Sequence, residues 1–188
     1  MTVPSQWDFT APFEGVVPHL YLDTAGLVTA GVGFMLPDLA SARRMPWVPS
    51  RDLDLDWRTM EHLEPGKPVA FYRPHTRARL PEPYMRAEFA VRMNALERQL
   101  WPLFPWLQLP PAARVALLDM GYNLGPGRLA KFARLRAEVA LAVNEPRHWR
   151  GAAAECTRTA INAKTGQRVE VNPARNEATR QLFLKCAP

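Results

Sequence analysis

Residues 14–34 read EGVVPHLYLDTAGLVTAGVGF, and this stretch decides the fold of the N-terminal part of the chain. Strand-forming residues flank Asp23-Thr24-Ala25-Gly26, a sequence typical of a tight turn, so we predict a β-hairpin with Asp23 at its turn. The apolar residues of 7–18 predict a short helix that ends near Pro18. Glu14 and Asp23 therefore fall within one apolar stretch, where burial of a carboxylate costs free energy and folding alone does not require it.

The composition is that of an ordinary folded protein. The chain has 188 residues, of which 47% are hydrophobic and 22% are charged, enough for one domain or two tightly joined lobes. Its net charge of +6 favours an anionic partner such as nucleic acid, a membrane surface or a cell-wall polymer, although a solvated basic face is an equal alternative. No apolar run reaches the roughly 18 residues of a membrane span, and the first residues do not resemble a secretory signal. We therefore expect synthesis in the cytoplasm without a signal peptide and no stable membrane insertion.

The remainder of the chain predicts mainly helices. Apolar residues recur at three- and four-residue steps, and Pro and Gly residues separate the segments. The expected helices cover about 83–101, 110–122, 129–143, 146–157 and 172–184, whereas the basic segment FYRPHTRARLPEP is expected to be a surface loop. The prediction is a mostly helical α+β domain over 1–188. It would have a small N-terminal lobe with a helix and a hairpin (about 1–82), a connecting helix (about 83–101) and a larger helical lobe (about 102–188).

Glu14 and Asp23 have the residue types that hydrolysis of a glycosidic bond requires. One carboxyl group must donate a proton to the leaving oxygen, and a second group must act on the other side of the anomeric carbon. Apolar surroundings would keep Glu14 protonated, and an open turn would keep Asp23 ionised. Thr29 on the returning strand could face Asp23 and hold a water molecule. Taken alone, two carboxylates at this spacing are far more often structural, because Glu near a helix end and Asp in a turn are both common.

The spacing of these residues resembles the catalytic signature of the phage-type lysozymes, family 24 of the glycoside hydrolases. In that family Glu-Gly is followed by Tyr-x-Asp-x-x-Gly-x-x-Thr-x-Gly-x-Gly. The matching residues in this chain are Glu14, Gly15, Tyr21, Asp23, Gly26, Thr29, Gly31 and Gly33. Residues 119–127 and 172–177 are similar to two later segments of the family, and 35–110 has no match. Phe34 stands where the family commonly has His.

The resemblance implies a lysozyme-like fold and a muramidase or endolysin that cuts the β-1,4 bond between N-acetylmuramic acid and N-acetylglucosamine in peptidoglycan. Glu14 would be the general acid, and Asp23 with Thr29 would position the attacking water, with inversion and without a cofactor or metal. Further candidates for substrate binding are Tyr21, Gly33, Asn123 and Arg175. Hairpin packing for Tyr21, helix capping for Asn123 and an ion pair for Arg175 remain alternatives.

Several other readings remain open at this point. The chain also resembles lysozyme-like toxins that bacteria inject into rivals, so delivery to the periplasm or cell wall could use a phage holin or an injection apparatus. An injected toxin would require an immunity protein, which we expect to be acidic. The alternatives are a non-catalytic peptidoglycan-binding protein on the same scaffold and, with least support, a nucleic-acid binder. We expect a monomer, and Cys156 and Cys186 either form a disulfide or remain two unpaired thiols.

Overall fold

The computed structural model describes residues 2–188 and has an α+β fold in which 57% of the residues are helical when the short 3₁₀ turns at 50–52, 73–75, 101–103, 106–108 and 146–148 are counted with the α-helices. Within this range the helices are α1 (Gln6–Glu14), α2 (Leu39–Arg43), α3 (Leu53–Met60), α4 (Val69–Tyr72), α5 (Glu82–Leu100), α6 (Pro111–Leu124), α7 (Pro126–Leu129), α8 (Ala133–Ala142), α9 (Trp149–Glu155) and α10 (Pro173–Leu184). The strands are β1 (Val17–Leu22), β2 (Val28–Gly31), β3 (Phe34–Met35), β4 (Thr159–Ile161) and β5 (Arg168–Glu170). Both sheets are antiparallel, so the predicted mostly helical α+β class is confirmed.

The chain divides into two compact units. Residues Ala11–Val91 form the hairpin unit, and residues 2–10 together with Arg92–Pro188 form the helical unit. This division differs from the predicted lobes, because the first residues of the chain belong to the helical unit. Within that unit, the Gln6 side-chain amide donates to the Val115 carbonyl at 3.3 Å. The boundaries fall inside α1 and α5, and α5 occupies the region predicted for a connecting helix.

The hairpin unit is built around a three-stranded sheet with strand order β1-β2-β3. Tyr21 pairs with Thr29 across β1 and β2, and Thr29 pairs with Met35 across β2 and β3. The predicted hairpin and its turn are therefore present. The predicted end of the first helix is wrong: α1 ends at Glu14, and Pro18 lies within β1.

The segment expected to be a surface loop is instead packed into the hairpin unit. Tyr72 and Ala78 are fully buried, and α4 occupies the start of the segment. Asp56 of α3 is buried, and its Oδ2 accepts hydrogen bonds from the backbone N–H groups of Arg77 (2.8 Å) and Ala78 (2.7 Å). Backbone N–H groups outside helices and sheets have no regular hydrogen-bond partner, and here the carboxylate of Asp56 supplies one for two of them. This contact explains why a basic, Pro-rich segment has a fixed path.

The helical unit has an apolar core shared by its long helices. Trp149 of α9 stacks on Phe183 of α10 with ring centroids 6.2 Å apart, and both rings are buried. The β4–β5 hairpin lies between α9 and α10 in the chain and was not predicted, because its strands have three residues each and no alternating pattern. No helix of residues 2–188 is long and apolar enough to cross a membrane.

Candidate functional site

Glu14 is the last residue of α1, and Gly15 determines where that helix stops. Gly15 has φ +79°, and its N–H donates to the carbonyl of Ala11 at 2.9 Å. A glycine in this left-handed conformation ends a helix and turns the chain, which here leads directly into β1. The Glu14 side chain is half-buried, and its Oε1 atom is shielded from solvent. Helix and turn geometry thus hold this carboxyl group at the start of the hairpin.

Asp23 occupies the turn between β1 and β2 and stabilises that turn with one carboxylate oxygen. Its Oδ1 accepts hydrogen bonds from the N–H groups of Ala25 and Leu27, both at 2.8 Å. This is the Asx-turn behaviour that makes Asp common in turns. Among the described residues no hydrogen bond is donated to Oδ2, and the side chain is partly exposed. One oxygen of Asp23 therefore holds the turn, and the other can accept a hydrogen bond from a ligand or water.

Thr29, the residue expected to face Asp23 and hold a water molecule, is buried in β2. Its exposed fraction is 3%, and its hydroxyl donates to the carbonyl of Leu27 at 3.1 Å. Asp23 and Thr29 thus hydrogen-bond to the same residue. Asp23 accepts from the N–H of Leu27, and Thr29 donates to the carbonyl oxygen of Leu27. Because the hydroxyl proton of Thr29 is used in this hydrogen bond, the hydroxyl oxygen can hold a water molecule only as an acceptor. The expected orientation toward Asp23 remains a prediction.

Tyr21 is the side chain on which the charges of both carboxylates act. Burial, together with the smaller effects of the charges of Glu14 and Asp23, raises the pKa of Tyr21 to about 12. An anionic phenolate is disfavoured beside other negative charges, so both carboxylates lie within electrostatic reach of this one phenol. Tyr21 also pairs with Thr29, and the side chains of directly paired residues lie on the same face of an antiparallel sheet. Its ring is half-buried and 6.5 Å from the ring of Tyr72.

Gly33 belongs to the tight turn that joins β2 to β3. It has φ +69°, and Gly31 on the other side of the turn has φ +64°, conformations that side chains rarely adopt. A Cβ atom on Gly31 would lie 2.2 Å from the ring of Phe34, which is fully buried. The Gly-x-Gly spacing is therefore explained by backbone conformation and packing. The structure shows a turn role for Gly33, and its predicted role in substrate binding stays a prediction.

Arg175 forms the ion pair that the sequence analysis left as the alternative to substrate binding. Its exposed fraction is 1%, and its Nε and Nη2 atoms donate to the two oxygens of Asp119 at 3.0 and 2.8 Å. Substrate binding by this residue is therefore not what the structure shows, because the guanidinium is buried. Asn123 is exposed near the end of α6, where Gly125 provides the helix cap, so the capping alternative for Asn123 is wrong.

A buried polar network around Asp119 is the main feature that the sequence analysis missed. Arg158 donates to Asp119 at 2.6 Å, and the Thr10 hydroxyl donates to it at 2.9 Å. Burial lowers the pKa of Arg158, and the charge of Asp119 counteracts that shift. An Asp within the apolar run VALLDMGY was a signal for a buried ion pair. Nothing in the local sequence marks Arg158 as its partner.

The chain matches no protein-family model and no curated protein sequence. The inference of function therefore rests on the residues themselves. Within residues 2–188, no group of three or more His, Cys, Asp or Glu side chains is arranged to hold a metal ion. Cys156 and Cys186 are both free thiols, the second of the two alternatives.

Arginine side chains near His19 add positive charge to the hairpin unit, whereas His19 itself does not. His19 of β1 is buried, and its Nε2 lies 3.2 Å from the Val69 carbonyl. Burial lowers the pKa of His19, and the positive charges of Arg79 and Arg73 lower it too, against the opposing effect of the hydrogen bond to Val69. A neutral His19 is a structural residue of the sheet, and the arginines carry the charge of this segment.

Proposed function

We propose that the protein is a peptidoglycan muramidase of the phage-type lysozyme kind, whose site lies in the hairpin unit. The observation that carries this proposal is that two carboxylates from different elements, Glu14 from α1 and Asp23 from the turn, both act electrostatically on the phenol of Tyr21. A pair of carboxyl groups is the minimum machinery for glycoside hydrolysis. Their spacing in the sequence, with Thr29 and the two glycines of the second turn, supports the same reading.

In the proposed reaction Glu14 donates its proton to the glycosidic oxygen as the bond to the anomeric carbon breaks. A water molecule held by Oδ2 of Asp23, with the oxygen of Thr29 as a further partner, attacks the anomeric carbon from the opposite face. The water loses a proton to Asp23, and exchange with solvent returns both carboxyl groups to their starting states. Direct attack by water inverts the configuration and requires room for that water between the two carboxyl groups.

The net charge of +6 suits a cell wall rich in carboxylates. Action in the periplasm or cell wall, delivery by a holin or an injection apparatus, and a protective immunity protein belong to the same proposal. A chain that binds peptidoglycan without cleaving it is the alternative, and the engagement of both Asp23 and Thr29 in turn hydrogen bonds is the observation that favours it.

The test is mass spectrometry of the soluble products released from purified peptidoglycan. The wild-type protein should release muropeptides with a reducing N-acetylmuramic acid end, and Glu14→Gln should release none, because an amide cannot donate the proton. Glu82→Gln is the matched control: Glu82 is exposed in the same unit and its carboxylate pairs with Arg86 on the surface, so activity should be unchanged. Release of the same products by Glu14→Gln would overturn the assigned role. Wall binding without products from the wild type would establish the binding alternative.

A further inference from the structure

The helical unit contains a cavity of about 570 Å³ that the proposed function does not use. It is lined by the loop before α8 and the first turn of that helix, by the end of α9, and by the β4–β5 hairpin. All three residues of β4 line it, whereas Arg168 is the lining residue from β5. Because β4 contributes all three of its residues and β5 contributes one, the cavity lies on the β4 side of the hairpin.

The hydrogen bonds at both ends of the hairpin show which backbone groups face the edge of β4 that does not pair with β5. Val171 N–H donates to Arg158 O at 3.0 Å, and Asn162 N–H donates to Gln167 O at 2.8 Å. In an antiparallel ladder, hydrogen-bonded pairs alternate with pairs whose N–H and C=O groups point outward. Pairs 158·171 and 162·167 are hydrogen-bonded, so the pair midway between them is bonded as well.

Thr159 and Ile161 consequently belong to the outward-pointing pairs. Their partners are Glu170 and Arg168, and the backbone N–H and C=O groups of Thr159 and Ile161 point away from β5. Among the described residues, no hydrogen bond satisfies these groups. The Ile161 side chain is 62% exposed, and both strands are exposed along their whole length. An edge of this kind can accept a further strand through its backbone.

The same cavity carries an excess of positive charge. Lys131, Arg134 and Arg168 line it, together with a single carboxylate, Glu155, whose Oε1 is 3.8 Å from an Nη atom of Arg134. The first residues of α8 also line it, and that helix begins without a side-chain cap, so its N–H groups add to the positive potential. A strand that fits here would carry acidic side chains.

We propose that this cavity and the outer edge of β4 form a docking groove for an extended acidic segment of a partner protein, which adds to the hairpin as a third strand. Unsatisfied backbone groups distinguish this occupant from a nucleic acid, because another polypeptide backbone supplies matching donors and acceptors at strand spacing. A second copy of the chain is disfavoured, because pairing β4 with itself would bring the same cations together. The proposal is independent of the proposed muramidase activity.

The experiment measures binding of short fluorescent peptides to the full chain by fluorescence anisotropy. The probes are an alternating peptide of valine, threonine and glutamate, the same peptide with glutamine or lysine for glutamate, the acidic peptide with N-methylated backbone amides, and an oligothymidine. The acidic peptide should bind, and the lysine, glutamine and N-methylated peptides should bind far more weakly. Equal binding of the N-methylated peptide, displacement of the peptide by oligothymidine, or no acidic binding at millimolar concentration would overturn the proposal.

Variants of the chain distinguish the contribution of the β4 backbone edge to peptide binding from the contribution of the positive charges. Ile161→Pro removes an outward N–H without breaking a β4–β5 hydrogen bond, so it should weaken binding by about tenfold or more, whereas Ile161→Val should bind like the wild type. Arg168→Gln should weaken binding about two- to fivefold, as expected for an exposed ion pair. Lys164→Gln, in the hairpin turn outside the cavity lining, should have no effect. Equal weakening by Lys164→Gln and Arg168→Gln, or unchanged binding of Ile161→Pro, would contradict the groove.

Two controls complete the test. Far-ultraviolet circular dichroism should show that Ile161→Pro keeps the fold, and amide chemical shifts should place the bound acidic peptide at residues 131–135 and 159–168. Shifts confined to residues 11–35 would overturn the proposal in favour of binding at the candidate active site. Glu14→Gln should bind the peptide like the wild type, so a failure of the muramidase proposal leaves this test intact.

Discussion

Replacing Asp119 by Ala should destabilise the protein strongly, because Asp119 is the acidic partner of two buried arginines. Its two oxygens accept four hydrogen bonds at 2.6–3.0 Å: two from Arg175, one from Arg158 and one from the Thr10 hydroxyl. The exposed fractions of Asp119 and Arg175 are 0% and 1%. Removal of one partner from a buried ion pair costs about 3–5 kcal/mol, and with two guanidinium groups left behind we expect the upper end of that range.

The assay is urea unfolding followed by tryptophan fluorescence. A loss of about 5 kcal/mol is a large part of the 5–15 kcal/mol typical of a folded domain, so the midpoint of the transition should fall sharply. Glu177→Gln is the control, because Glu177 pairs with Arg180 on the surface, where solvent screens the pair. A loss for Asp119→Ala no greater than that of the control would refute the reasoning.

A triple variant tests the stated cause. Asp119→Leu with Arg158→Met and Arg175→Met removes all three charges and keeps similar side-chain volumes. If the cost of Asp119→Ala comes from uncompensated buried charge, the triple variant should be more stable than the single variant, because apolar replacement of a whole buried ionic cluster is often neutral or stabilising. A triple variant as unstable as Asp119→Ala would show that packing, rather than unpaired charge, determines the loss.

Three further changes test the hairpin unit. Gly31→Ala should lower the thermal midpoint by an amount worth about 1–3 kcal/mol, because its Cβ would meet Phe34 at a positive φ, whereas Gly127→Ala, with open space around it, should not. Asp56→Ala should lower the free energy of unfolding by about 2–3 kcal/mol and speed hydrogen exchange at the two backbone N–H groups, of Arg77 and Ala78, that donate to Asp56. Unchanged exchange would contradict the role of Asp56 in fixing this segment. In an ultraviolet titration Tyr21 should ionise near pH 12. Since its pKa is raised from an ordinary value of 10, the stability that it contributes is complete below pH 10 and is lost as the pH rises toward 12, and Tyr21→Phe should remove this component. A titration of Tyr21 near pH 10 would contradict its burial next to the charges of Glu14 and Asp23.

The β1–β2 hairpin was predictable because its information is local. Strand-forming residues on both sides of a turn sequence, and glycines at the second turn, encode backbone conformations that the structure contains at the same positions. Glu14, Tyr21 and Asp23 lie within ten residues of one another along the chain, so a correct hairpin already brings them close together. The end of α1 was misplaced because Gly15, rather than Pro18, ends that helix.

The partners in long-range contacts escaped prediction. Asp119 meets Arg158 and Arg175 across 39 and 56 residues of chain, and Asp56 meets the segment at 77–78 across more than 20. In a sequence, a charged residue is usually assigned to the solvent-exposed surface. Only the folded structure shows that these charged residues are buried and pair with one another. The β4–β5 hairpin was missed for a related reason: its strands are too short to give an alternating pattern.

The amino-acid sequence alone therefore sufficed for the fold class and the first hairpin, because turn chemistry and hydrophobic period act between near neighbours, and it nominated the residues of the candidate site. The tertiary structure decided which of those residues are exposed. It buried Thr29 and Arg175, divided the oxygens of Asp23 between the turn and solvent, and left the edge of β4 open beside a cluster of cations. The burial and the hydrogen-bond partners of a side chain depend on residues that are distant in the sequence. Those residues come together only when the chain folds.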